Sequence, residues 1–206
     1  MEVLDLKPVE NKKITGYVFA REDSKALQAM NIKELTEFLS KHKIKYITVD
    51  FEVNLKEFSK TEFARTLENL NIPYFQVDIP EFAMTYIYDD IVKREELIVE
   101  LTNEYQTLKD KESYKGQSLK NWIDMVNLEI QEKEIYLSLK LRPIWIVKKM
   151  LDIAKTFEED EEVAFVHFVQ QDICEDICSQ IVEQLRNLEV KVVQYNKKHI
   201  VKNVIF

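Results

Sequence analysis

The sequence predicts an α/β protein: a mostly parallel, Rossmann-like three-layer sheet of about five strands, with a long antiparallel coiled-coil helical hairpin inserted between strands 3 and 4. Three observations lead there. Five short apolar runs are separated by segments of helical periodicity, the alternation expected of a parallel sheet covered on both faces. One of those separations, Glu81 to Asp160, contains no strand-like run. Within it apolar side chains recur in alternating steps of three and four, the spacing of a coiled-coil seam.

The strand-length runs are Ile14 to Ala20, Ile44 to Asp50, Tyr74 to Ile79, Glu162 to Val169 and Val190 to Tyr195. Both alternating sets of VAFVHFV are nearly apolar, so the fourth strand is expected at the centre of the sheet. The segment NIKELTEFLSKH offers Asn31 as an N-cap and places Ile32, Leu35, Phe38 and Leu39 on one helical face. Leu55, Phe58, Phe63, Leu67 and Leu70 do the same in the next helical segment, with a new start or kink expected at Ser59. Cys174, Cys178, Ile181, Leu185 and Leu188 form the stripe of the last helix. The two cysteines are read as reduced thiols continuing that stripe. The tail KKHIVKNVIF is expected to add an edge strand after a turn.

The chain thus divides into residues 1–80, the first half of the α/β domain; 81–160, the inserted arm; and 161–206, the second half. A helix from Glu81 to Asp110 would reach about 45 Å, so the insertion is expected to project. If Leu108 faces Leu119 across the turn, Leu101 falls by Val126, Ile91 by Leu137 and Arg94 by Lys133. Two cations at one layer must open to water or recruit Glu95, Glu129, Glu132 or Glu134, because burying an unpaired charge is costly. Pro143 lacks an N–H and predicts a break near Leu141 and Arg142.

Bulk properties narrow the functional classes. A formal net charge of −8 over 206 residues repels nucleic acid on average, so nucleic-acid binding is disfavoured without a local basic surface. Only two glycines are present, Gly16 and Gly116, and no glycine-rich phosphate loop can be built from them. No apolar run is long enough to span a membrane, and a cytoplasmic location is the expectation.

Ligands of open parallel sheets bind beyond the strands' carboxyl ends. Those ends carry Arg21, Glu22 and Asp23, then Asp50 and Glu52, then Asp78 and Glu81, then Gln170, Gln171 and Asp172. Asp50, Glu52, Asp78 and Glu81 offer the oxygen ligands that Mg²⁺ or Mn²⁺ prefers, with Asp50, Asp78 and His167 as candidate catalytic groups of a metal-dependent hydrolase, a nuclease or phosphoesterase. The competing reading makes the carboxylates helix caps and gives His167 a structural partner. LKLRPIWIVKK interleaves Arg142 and other cations with Trp145, a combination suited to a phosphate backbone or to an ordinary amphipathic helix. Tyr114 and Trp122 near the hairpin turn are candidate protein anchors, with Arg94 and Lys133 as a charged layer where a partner could engage.

The order of FAREDS after the first strand, VDFE after the second and a VDIPE turn entering long helices resembles the layout of the TraB-like family as far as about residue 90. That family's histidine and glycine motifs are missing, and the resemblance implies no activity or site residue here. The leading expectation is a scaffold or adaptor whose arm binds a protein partner or a second copy of the chain, without a cofactor. The metal-dependent hydrolase is the alternative.

Overall fold

The computed structural model describes residues 6–21, 32–50, 58–170 and 175–195. Five parallel strands form one sheet: β1 (Lys13–Arg21), β2 (Ile44–Val49), β3 (Tyr74–Gln76), β4 (Glu162–Gln170) and β5 (Lys191–Tyr195). Their spatial order is β3-β2-β4-β1-β5, so the doubly apolar β4 does lie in the middle. This differs from the 3-2-1-4-5 order of a Rossmann sheet, because β4 stands between β1 and β2. The third strand is shorter than its apolar run. Val77 N still donates to Val49 O at 2.8 Å, but the chain leaves the sheet before Pro80.

Helix α1 (Ile32–Lys41) follows β1, and α2 (Glu62–Asn69) precedes β3. The N-terminus of α2 is set by Thr61, whose hydroxyl accepts from Ala64 N at 3.1 Å. Leu39, Phe58, Phe63 and Leu67 pack with Phe19, Val49, Val166 and Phe168 in one core layer. The opposite sheet face meets α5 (Arg142–Lys155), where the buried Tyr46 hydroxyl donates to Met150 O at 2.8 Å. Helix α6 (Glu175–Asn187) packs against α5 and precedes β5. Helices therefore cover both faces, three layers in all. The proposed cap at Asn31, the tail at 196–206 and Cys174 lie outside the described residues.

Scarcity of glycine leaves its usual positions to other residues. Helices α1, α2 and α6 are each followed by a left-handed residue, Lys43 (φ 50°), Asn71 (φ 53°) and Glu189 (φ 62°). After α2 and α6 the paired bonds of the Schellman motif form: Ile72 N to Leu67 O and Asn71 N to Glu68 O, then Val190 N to Leu185 O and Glu189 N to Arg186 O. The two glycines serve close approach instead. A Cβ on Gly16 would stand 2.7 Å from Phe165 Cζ, and one on Gly116 would overlap the Lys111 carbonyl.

The chain divides into two compact units, residues 1–78 with 142–206, and residues 79–141. Residues 142–160, which the sequence assigned to the insertion, thus belong with the sheet. The second unit contains α3 (Glu81–Thr107), α4 (Tyr114–Ile135) and a π-helical stretch, Tyr136–Leu141. That stretch ends just before Arg142 and Pro143, where the missing N–H was expected to disturb the helix. Helices α3 and α4 pack on one another through Ile91, Val126 and Ile130, with Ile87, Leu97 and Ile98 beside them. No helix among the described residues is long and apolar enough to cross a membrane.

Candidate functional site

At the carboxyl end of the sheet, β2 and β4 place Thr48 directly beside His167, and both side chains are fully buried. Thr48 Oγ1 and His167 Nδ1 lie 3.0 Å apart, while His167 Nε2 has no hydrogen-bond partner among the described residues. Burial, assisted by the charge of Arg142, pushes the imidazole down to about 3, against a smaller upward effect of Thr48. His167 is therefore neutral at physiological pH. With Thr48 it forms a buried polar pair joining two central strands.

One layer further out, Arg142 at the start of α5 grips the end of β3. Its Nε donates to Asp78 Oδ1 at 2.8 Å and its Nη2 to Asp78 Oδ2 at 2.9 Å. The same Nη2 donates to the Asp50 backbone carbonyl at 2.9 Å. Asp50 itself is buried. Burial, with the charge of Asp50 added to it, raises Cys178 on α6, whose sulfur accepts a 3.6 Å contact from Gln194 Nε2. The fold thus brings Asp50, Asp78, Arg142 and His167 to one end of the sheet. What joins the two aspartates is a guanidinium in bidentate geometry. Among the described residues no group of three His, Cys, Asp or Glu could hold a metal ion. Glu81 begins α3, and Glu52 lies outside the described residues.

The basic and aromatic candidates of LKLRPIWIVKK separate. Arg142 turns inward to Asp78, whereas Lys149 sits 5.0 Å over the half-buried Trp145 ring. A feature the sequence did not suggest is a cavity of about 940 Å³ at the strands' amino ends, lined by Lys12, Lys41, Lys43, Lys45, Lys191 and the Tyr17–His42 pair among others. Several of its cations are already committed: Lys12 to the Phe157 and Asp160 carbonyls, and Lys45 to the Asp160 carboxylate.

In the second unit the charged layer is ion-paired. Lys133 meets Asp90 at 2.6 Å, and Arg94 meets Glu129 at 3.4 Å and Asp90 at 3.7 Å. Arg94 and Lys133 are offset by about one turn from direct opposition, so each finds a carboxylate on the other helix. Glu129 was among the neighbours expected; Asp90 was not. The hydrogen bond from Lys133 holds the Asp90 carboxyl below its ordinary range.

Apolar exposure is concentrated in this unit. Among the described residues, all eleven exposed large hydrophobics fall between Phe82 and Tyr136. Phe82, Tyr86 and Tyr114 are 82%, 85% and 89% exposed, and Trp122 is 47% exposed. On α4, Leu119, Val126 and Ile130 are buried while Trp122, Met125, Leu128 and Ile135 are exposed, so the helix has two apolar faces. A helix with a single buried face needs only one. Tyr114 and Trp122 were visible in the sequence as aromatics where polar residues suffice. The wider second stripe was hidden, because a heptad search assigns such residues to non-seam positions and passes over them. Comparison with family models, curated proteins and solved structures finds no match for this chain.

Proposed function

We propose that this protein is a scaffold or adaptor in which α3 and α4 act as an antiparallel coiled-coil arm for protein–protein contact. The observation that carries the reading is the confinement of exposed large hydrophobics to residues 82–136 among those described. Scattered exposed apolar residues are ordinary, but their concentration on one helical pair, beside a sheet unit with none among its described residues, is the signature of a contact surface. The Mg²⁺- or Mn²⁺-dependent hydrolase draws less support, because Arg142 holds both oxygens of Asp78.

The test compares the full chain with Phe82→Ser/Tyr86→Ser and Trp122→Ser/Leu128→Ser. Sedimentation velocity over a range of concentrations reads association, and thermal melting reads the fold. The reading expects association of the native chain that is weakened at least tenfold by one of the pairs, with melting hardly changed. A large fall in melting temperature would make these side chains core. Unchanged association in both variants would remove the surface from consideration.

A further inference from the structure

We propose that the occupant of the second apolar face of α4 is α4 of another copy of this chain, docked antiparallel about Met125. The proposal rests on the reading of residues 79–141 as an interaction unit and names its partner. At 100° per residue, Tyr114, Trp122, Met125, Leu128 and Ile135 fall in a sector about 140° wide, turned away from the buried Leu119, Val126 and Ile130. Ser118, Asn121, Glu129 and Glu132 share that sector.

The central part of the sector is self-complementary when reversed. With Met125 opposite its own copy, Trp122 meets Leu128, and Tyr114 meets Tyr136. Ser118 meets Glu132, and Asn121 meets Glu129. About the centre, apolar residues thus face apolar ones and polar residues face polar ones, as a two-fold interface requires, while at the ends Ile135 meets Lys115, whose methylene stem can cover it. Charge selects the same direction. The first half of α4 carries Lys115 and Lys120 against Asp124, whereas the second half carries Glu129, Glu132 and Glu134 against Lys133 alone. An antiparallel pair sets basic half on acidic half and aligns the helix dipoles favourably, while a parallel pair stacks like on like. On α3 the exposed Tyr88, Val92 and Val99 are interrupted by Glu95 and Glu96, so that face is the poorer candidate.

Five large side chains per copy would bury roughly 1,000 Å² in all, the lower end for a specific interface. Association is therefore expected to be reversible, in about the micromolar range.

The experiment uses the full chain with both native cysteines removed (Cys174→Ser, Cys178→Ala) and single cysteines introduced. The Met125→Cys chain should form a disulfide dimer under mild oxidation. The Tyr114→Cys and Tyr136→Cys chains should each stay uncrosslinked alone and crosslink to one another when mixed. Ser118→Lys, which sets a lysine opposite Glu132 twice per dimer, should tighten self-association about fivefold in sedimentation. It also serves as a gain-of-function check should the cysteine variants fold poorly. A dimer in which the Met125→Cys chain does not crosslink, or in which the Tyr114→Cys chain crosslinks to itself, overturns the antiparallel pairing and leaves the interaction reading standing. A chain monomeric at every concentration overturns the second copy as occupant and, with it, the self-association that the interaction reading expects of the native chain.

Discussion

Arg142 and Asp78, 64 residues apart, are joined by two parallel hydrogen bonds of 2.8 and 2.9 Å, and the same guanidinium reaches the carbonyl of Asp50. The contact ties the ends of β2 and β3 to the start of α5. With side chains only 14% and 24% exposed, loss of one partner strands the other in a poorly solvated place. Arg142→Leu should cost about 2 kcal/mol of unfolding free energy, and Arg142→Lys about 1 kcal/mol because the fork is lost while the charge stays. Urea unfolding of the three chains checks the order. Equal stability of Arg142→Leu and the native chain would contradict it.

The buried imidazole makes stability depend on pH. His167 titrates at about 3 folded against an ordinary 6.5, so between those values the unfolded chain binds a proton that the folded chain does not. Its contribution is complete above pH 6.5 and is lost as pH falls toward 3. From pH 7 to pH 5 the loss should be about 2 kcal/mol. His42 is lowered in the same direction by burial and Lys41, and adds a slope of the same sign. His167→Gln should flatten the stability–pH curve far more than His42→Gln, as read by unfolding at pH 5, 6 and 7.

Left-handed helix ends held by side chains with a Cβ carry strain that glycine relieves. Glu189→Gly should stabilise the chain by about 0.5–1 kcal/mol, since the conformational penalty at φ 62° exceeds the entropy glycine gains on unfolding. Lys43→Gly should behave alike, and Asn71→Gly should gain less, because asparagine tolerates this region. Thermal melting separates the three. A loss of stability in Glu189→Gly would mean that its side chain contributes more than its backbone costs.

The strands were legible because β-structure buried on both faces is written as short apolar runs, and β4 could be assigned to the centre from VAFVHFV. Strand order was not, because it depends on crossovers that pass over a neighbour, and nothing local to β1 or β2 records that β4 will enter between them. The same limit governs the site. Asp50 and Asp78 were visible as strand-end carboxylates, but the cation joining them comes from a helix far along the chain and reads locally as part of a basic stretch. Thr48 was never singled out, since its meaning lies in its register against His167. In the second unit the buried Ile91, Val126 and Ile130 were legible from periodicity. The partner of Lys133 was not, because a one-turn shift between the helices decides which acid it meets.

That shift makes a prediction of its own. Asp90 serves both Lys133 and Arg94, so Asp90→Asn should lower the melting temperature slightly at low salt, with the difference shrinking as salt is added. Arg94→Leu/Lys133→Leu would leave Asp90 and Glu129 without their cations, and should therefore change stability by no more than about 0.5 kcal/mol despite the longer apolar seam. A clear rise in melting temperature would show that the ion pairs oppose the packing of α3 on α4.

The proposed contact surface on α4 is tested most directly by the emission of Trp122 on dilution, in a full-length Trp145→Phe chain where it is the only indole. If a second copy covers that face, emission is blue-shifted at high concentration and moves to that of a water-exposed indole on dilution, with a midpoint matching sedimentation. Emission that stays at the water-exposed wavelength at every concentration, with or without the Met125→Glu change, would contradict the account.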